Sequence, residues 1–299
     1  MTLKHGYLVV GGDSLVGGGL LRALQRRGHT AFASTRRRDT LDAQRVYLDF
    51  ESDEPFRVPA GIDYVYIVAA ATNYERCEKD PLAYRINVEL IPRLVASLLE
   101  QGVFVTFIST NSVFGGERPW PHEDDPHAPG IAYAKQKDEA EQVILADVRR
   151  LNAEQRFNIV RLTKIMDQDT SPLPGWFAAW ERGEVVQPFS DLIFAPMSVQ
   201  FVGEALATIG EKRQPGNLHL SGKENVSYVD LSLKLAAAAG VDPRLIEPTT
   251  SEKKGIHIPF KPRFSGIGMQ KTNALTGLQP QTIDDVVLDL VRGRRTTKK

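Results

Sequence analysis

Short β-branched and aromatic runs alternate with longer amphipathic stretches through the first half of the chain, and few architectures accommodate that alternation. Strand-like runs fall at residues 7–10, 30–34, 45–48, 64–69, 103–108 and 158–162, with helix-like stretches clearest at 20–27, 82–101 and 134–150. Strands that are apolar on both faces, each followed by a helix, predict a doubly wound parallel α/β sheet. Pro92 lies inside the second helical stretch and should kink or restart it. After Thr163 the rhythm breaks, with Pro172, Pro174, Trp176 and Trp180 close together and later helix signals at 199–209, 228–239 and 282–291. Two domains are expected: residues 1–165 with returning segments near 196–222, and a smaller C-terminal substrate-binding lobe over 166–299. The basic tail 292–299 should fray.

The stretch from Val9 to Gly18 runs from the first strand into the first helix and carries Gly11, Gly12, Gly17 and Gly18. Glycines there let the backbone turn and approach a pyrophosphate, and the helix N-terminus offers free N–H groups to the anion. Such a loop points to a Rossmann-type dinucleotide site. Gly11 and Gly17 take the outer places of a G-x-x-G-x-x-G loop, with Ser14 in the middle one, so Gly11, Ser14, Leu15, Val16 and Gly17 are the candidate phosphate-facing residues. At the end of the second strand an acid would favour NAD, whereas arginines accommodate the 2′-phosphate of NADP. Here that end reads Ser34-Thr35-Arg36-Arg37-Arg38. NADP is therefore the expected cofactor, with NAD as the alternative, Arg36 as the main phosphate ligand and Arg37 and Ser34 as helpers.

Thr110 ends the fifth strand-like run, and Tyr133 and Lys137 follow on the next helical stretch, spaced to share one face. A phenol with its usual pKa of about 10 exchanges protons poorly at neutral pH, and an adjacent ammonium would lower that value. Thr110 can then orient a carbonyl oxygen that Tyr133 protonates. The order of phosphate loop, strand-end hydroxyl and Tyr-x3-Lys predicts an enzyme of carbonyl reduction.

With these residues in place, the sequence resembles the extended short-chain dehydrogenase/reductases, in particular the dTDP-4-dehydrorhamnose reductase-like group. The stretches that carry the resemblance are VVGGDSLVG, AAATNYERCEKDPLAYRINVE, FISTNSVFGG, residues 123–129, YAKQK, IVRLTKI, GNLHLSG with VSYVDLS, and QKTNALTGLQP. The resemblance implies a catalytic triad of Thr110, Tyr133 and Lys137. It implies adenine contacts from Asp49 and Phe50, a cofactor-passing stretch of Ala69, Ala70, Ala71 and Thr72, and a cofactor-site asparagine at Asn87. It further implies NADPH-dependent reduction of a keto group on a nucleotide-linked sugar, in polysaccharide biosynthesis, by a homodimer. Two other readings of the same resemblance are a sugar-nucleotide epimerase that retains its cofactor and a non-catalytic NADP-binding regulatory subunit. The regulatory subunit of methionine adenosyltransferase resembles the same group.

One departure bears on the substrate. These reductases commonly carry Thr-Asp-Tyr after the fifth strand, where this chain has Thr110-Asn111-Ser112. Related dehydratases use an Asp-Glu pair there, and Asn111 and Ser112 cannot transfer protons in that way. Thr72, Asn111, Ser112 and Lys164 are the candidate substrate contacts, with Arg161 also expected at the open end of the sheet and Arg263 a further diphosphate candidate. The 37 basic and 37 acidic residues balance, which argues against nucleic acid and anionic membrane as partners. The start MTLKHGYLVVGG has too short an apolar run for a signal peptide or a membrane span. Cys77, the single cysteine, is expected in the loop after the fourth strand and reads as structural. A lone cysteine fits a reducing compartment, so a cytoplasmic enzyme is expected, and the six histidines lack metal-ligand spacing, so no catalytic metal is expected. His219 reads as packed, Trp176 and Trp180 as lobe filling, and the polar run from His122 to His127 as a solvated loop at the rim of the site.

Overall fold

The computed structural model describes residues 6–52, 54 and 56–297. In chain order it contains β1 (Gly6–Val10), α1 (Leu15–Arg26), β2 (Thr30–Thr35), β3 (Arg45–Tyr47), β4 (Ile62–Ile67), α2 (Tyr74–Lys79) and α3 (Pro81–Tyr84). A π-helical stretch, Arg85–Leu90, leads into α4 (Ile91–Glu100), followed by β5 (Phe104–Thr110), α5 (Ala132–Arg150), β6 (Phe157–Leu162) and β7 (Lys164–Met166). The remainder comprises α6 (Leu173–Glu181), β8 (Ile193–Phe194), β9 (Pro196–Ser198), α7 (Val199–Lys212), β10 (Gly216–Leu220), β11 (Val226–Ser227), α8 (Tyr228–Ala239), α9 (Gln270–Thr276) and α10 (Ile283–Thr297).

The expected doubly wound sheet is present. Seven parallel strands run in the order β10-β6-β5-β4-β1-β2-β3, so the order reverses between β1 and β4. The loops at that reversal diverge and leave a crevice at the carboxyl ends of the strands. One apolar layer packs α1 and α7 against Tyr7, Val9, Tyr64 and Val160; the other packs α4 and α5 against Leu8, Val10, Val65 and Ile159. All five residues of β1 are buried, which explains why its sequence is a continuous apolar run. A third core, built on Trp176, Phe177, Trp180, Leu231, Leu235 and Leu290, holds α6, α8 and α10 together.

The restart expected at Pro92 is present: a π-helical stretch precedes α4, and Pro92 sits in the first turn of α4, where its missing N–H costs little. Two local expectations are corrected. The basic tail does not fray at Arg292. Helix α10 continues to Thr297, anchored by Val286, Val287 and Leu290 and by the Arg294 guanidinium 4.2 Å over the Phe177 ring. Lys298 and Lys299 lie outside the described residues. Cys77 lies in α2 rather than a loop, and its thiol donates to the Ala71 carbonyl at 3.3 Å.

Candidate active site

Two adjoining cavities follow the crevice. The larger, about 560 Å³, is lined by Ser14, which precedes α1, by Leu15 and Val16 from its first turn, by Thr72, by Thr110, Asn111 and Ser112, by Tyr133 and Lys137, and by Lys164. Tyr74, Ile193, Phe194, Tyr228, Ile258 and Phe260 give it an aromatic and aliphatic wall. The smaller, about 360 Å³, is lined by Gly11, Asp13, Ser34, Arg36, Asp49, Phe50, Glu51, Ala69, Ala70, Ala71 and Arg76.

The glycine loop is shaped by contact rather than by flexibility alone. A Cβ on Gly17 would lie 2.3 Å from the Gly11 carbonyl oxygen, and Gly11 itself has φ of +93° with the Ala69 amide nitrogen 2.7 Å from where a Cβ would sit. These approaches bring the start of α1 against the ends of β1 and β4, as a bound pyrophosphate requires. Ser14 caps α1: its oxygen accepts from the Gly17 amide at 3.1 Å, while its hydroxyl donates to the Gly11 carbonyl at 2.7 Å. The hydroxyl proton is thus used inside the loop, while Ser14 itself lines both cavities. The amides of Leu15 and Val16, in the first turn, are the donors an anion would meet. Ser34 supports the same loop, its hydroxyl oxygen accepting from the Gly11 amide at 2.9 Å. The cradle fits a dinucleotide.

The sequence-derived cofactor residues divide. Arg36, Asp49, Phe50 and Ala69–Ala71 line the smaller cavity. Arg37 does not: its guanidinium bonds Asp13 at 2.8 Å, as does that of Arg45 at 2.9 Å. Asn87 lines neither cavity. It is buried, accepts from the Ala71 amide at 2.9 Å and donates to Gln136 at 2.8 Å, so it holds the backbone of the cofactor-passing stretch.

Helix α5 brings Tyr133 and Lys137 to the end of β5, where Thr110 stands. Burial raises the Tyr133 phenol above its ordinary value, the nearby Tyr74 phenol adds to this, and a hydrogen bond with Thr110 offsets only part. The expected lowering by Lys137 is therefore corrected. The Lys137 ammonium donates to the Ile108 carbonyl at 2.8 Å and lies 3.8 Å from the Phe107 ring centroid. Burial pulls its pKa down to about 7, with Glu141 one turn away opposing the change. The Thr110 hydroxyl lies 3.2 Å from the Ser112 hydroxyl, and Asn111 ties the strand end to the lobe through the Ser265 carbonyl at 2.8 Å.

Arg161 is corrected most sharply. It does not face the open end of the sheet; it is 2% exposed and pairs with Glu141 of α5 at 2.7 Å. Its remaining bonds reach the Glu123 carbonyl at 2.9 Å and His219 at 3.3 Å. The rim loop is correspondingly not free in solvent, since Glu123 is buried and His127 meets Asp138 of α5 at 2.5 Å. His219 is fully buried and its Nδ1 meets the Gly268 carbonyl at 2.8 Å. Lys164 does reach the larger cavity; it stays exposed to solvent, and the protein atoms around it lower its ammonium's pKa by partial desolvation. Arg263 instead lies over the Phe264 ring at 5.2 Å and lines neither cavity. Residues that pattern alone did not single out are Asp13, Glu51, Tyr74 and Arg76. Two of them stand in the AAATNYERCEKD stretch, but only the short helix α2 shows which side chains turn inward.

A nucleotide-sized crevice at a sheet reversal, with a hydroxyl, a phenol and an amine at one end, defines the extended short-chain dehydrogenase/reductase class. The chain matches the family model described as RmlD substrate binding domain over residues 5–293 and belongs to that family. It is similar to a dTDP-4-dehydrorhamnose reductase of Mycolicibacterium smegmatis, 25% identical over 285 residues that cover 93% of this chain and 82% of the relative. Among solved structures, MoeE5 in complex with UDP-glucuronic acid and NAD has a TM-score of 0.79 at 22% identity, covering 98% of this chain and 99% of that one. The dTDP-4-dehydrorhamnose reductase of Bacillus anthracis in complex with NADP has a TM-score of 0.78 at 19% identity, covering 97% and 99%. At those identities the structural matches speak to the fold.

Proposed function

We propose that the protein is an oxidoreductase that reduces a keto group on a nucleotide-linked sugar, with NADPH as hydride donor and NADH as the alternative. The observation that carries this reading is that Thr110, Tyr133 and Lys137, from a strand end and the following helix, open on the same cavity as the first turn of α1. Residues 1–165 with the returning elements α7 and β10 hold the dinucleotide, and the lobe over 166–299 supplies Tyr228, Ile258 and Phe260 to the sugar side. The names of the relatives favour a dTDP- or UDP-linked sugar.

When bound, the reduced nicotinamide supplies hydride to the carbonyl carbon. The Tyr133 phenol, protonated at neutral pH, delivers a proton to the carbonyl oxygen; burial opposes the phenolate this leaves, so the transfer depends on the Thr110 hydrogen bond and on a charged Lys137. The Thr110 hydroxyl orients that oxygen. Lys137, when charged, stabilises the phenolate left behind, and its proximity to neutrality lets it pass protons. Asn111 and Ser112 lack the acidity of a dehydratase pair, so the chemistry stops at reduction. A homodimer working in the cytoplasm towards polysaccharide assembly goes with this reading.

The test is oxidation of NADPH, followed by absorbance, with dTDP-4-dehydrorhamnose and a panel of UDP-linked 4-keto sugars. Turnover that collapses in Tyr133→Phe supports the proposal. A folded protein inert to the whole panel refutes it, and stoichiometric capture of a partner enzyme unaffected by Tyr133→Phe would favour the regulatory reading.

A further inference from the structure

We propose that Arg36 and Arg76 form a two-armed clamp for the 2′-phosphate of NADP, and that Glu51, which bridges them, sets the preference between NADP and NAD. The inference rests on the reading that the smaller cavity takes the adenosine end of the dinucleotide.

Four arginines cluster around the end of β2, and most are already committed. Arg37 and Arg45 share the Asp13 carboxylate, at 2.8 and 2.9 Å. Arg38 is paired with Glu54 and its guanidinium lies 3.9 Å over the Tyr47 ring. None of these three lines the smaller cavity, whereas Arg36 and Arg76 both do. They come from different elements: Arg36 follows β2, and Arg76 belongs to α2. Arg76 is steered by its own helix, since its Nε donates to Asp80 at 2.8 Å.

One oxygen connects the two. Glu51 Oε1 lies 3.0 Å from Arg76 and 3.9 Å from Arg36. An anionic oxygen placed between two guanidinium groups marks where a phosphate oxygen would be bound, because Arg presents paired donors suited to either anion. The carboxylate and a 2′-phosphate therefore compete for one position, and if the carboxylate stays it repels the dianion. A ribose hydroxyl has no such conflict and can donate to Glu51, the role an acid plays in an NAD-preferring site. Glu51 thus acts against NADP and for NAD, while the arginines act the other way. Solvent screening limits each effect, because the side chains of Glu51, Arg76 and Arg36 are 38%, 36% and 66% exposed.

Calorimetric titration of the full-length protein with NADPH and with NADH tests this directly. Glu51→Gln should raise the NADPH-to-NADH affinity ratio roughly fivefold or more, and Arg76→Met should lower it by about tenfold. Coenzyme-induced shifts in melting temperature should follow the same order and confirm that each variant is folded. Ratios within twofold of wild type in both variants would overturn the clamp. Binding of neither coenzyme to wild type would refute the dinucleotide reading itself, and the clamp with it.

Discussion

Removing one partner of the Arg161–Glu141 pair should cost far more than removing both in proportion. The guanidinium and carboxylate are each 2% exposed, with contacts of 2.7, 3.1 and 3.2 Å between them, and the Ser109 hydroxyl also donates to Glu141. Glu141→Leu leaves a buried cation without its counter-ion, and Arg161→Met leaves a buried anion with Ser109 alone. Each single change should cost about 3–5 kcal/mol, the usual loss for half of a buried pair. For a domain of this size that corresponds to a melting temperature lowered by roughly 6–15 °C. The double variant leaves no buried charge, and the Ser109 hydroxyl, the Glu123 carbonyl and the Nε2 of His219 each lose one hydrogen-bond partner, at a cost of about 1 kcal/mol each. Its total should therefore fall short of the sum of the singles by about 3 kcal/mol or more. Reversible urea unfolding of the four proteins reads this coupling. Additive single effects would refute the reasoning, since they would mean that neither charge depends on the other.

Other consequences concern pH and the loop. Lys137 is charged below about 7 and neutral above, so kcat for reduction should fall as the pH rises through about 7; a pH–rate profile of Lys137→Met should lose that break and lie roughly 10²-fold lower. His219 is held neutral, its folded pKa near 3 because burial, then the Arg161 charge, disfavour protonation. Since the unfolded chain binds a proton near pH 6.5 and the folded one does not, stability should fall by up to about 1.4 kcal/mol per pH unit from 6.5 towards 3. That slope in acid-unfolding curves should flatten in His219→Gln. Gly17→Val should abolish coenzyme binding in calorimetry, because its side chain meets the Gly11 carbonyl.

Much of this was legible from sequence because fully buried parallel strands need apolar runs. Strands β1 to β6 all lie within two residues of the predicted runs, and α5 begins two residues early. Residues whose position follows from being at a strand end or on one helix face, such as Thr110, Tyr133, Arg36 and Asp49, reach the cavities. What the pattern did not carry is direction and competition. The period of β6 marks Arg161 as inward or outward but not as paired, and a charged residue in a six-residue buried run has no outward sign of its partner 20 positions away. The capture of Arg37 by Asp13 depends on two loops meeting, and the reversal of the Tyr133 shift depends on burial outweighing a neighbour whose ammonium turns to Ile108. Glu51 and Arg76 meet across the mouth of the sheet from segments with no shared periodicity.

The central claim is that the Tyr133 phenol and Thr110 hydroxyl face the reacting end of a bound dinucleotide. A crystal structure of the protein with NADPH tests it most directly. The account predicts the pyrophosphate over the first turn of α1, adenosine between Phe50 and Ala69–Ala71, and the nicotinamide beside Tyr133 in the larger cavity. A nicotinamide bound elsewhere, or a Tyr133 hydroxyl directed away from its ring, would contradict it.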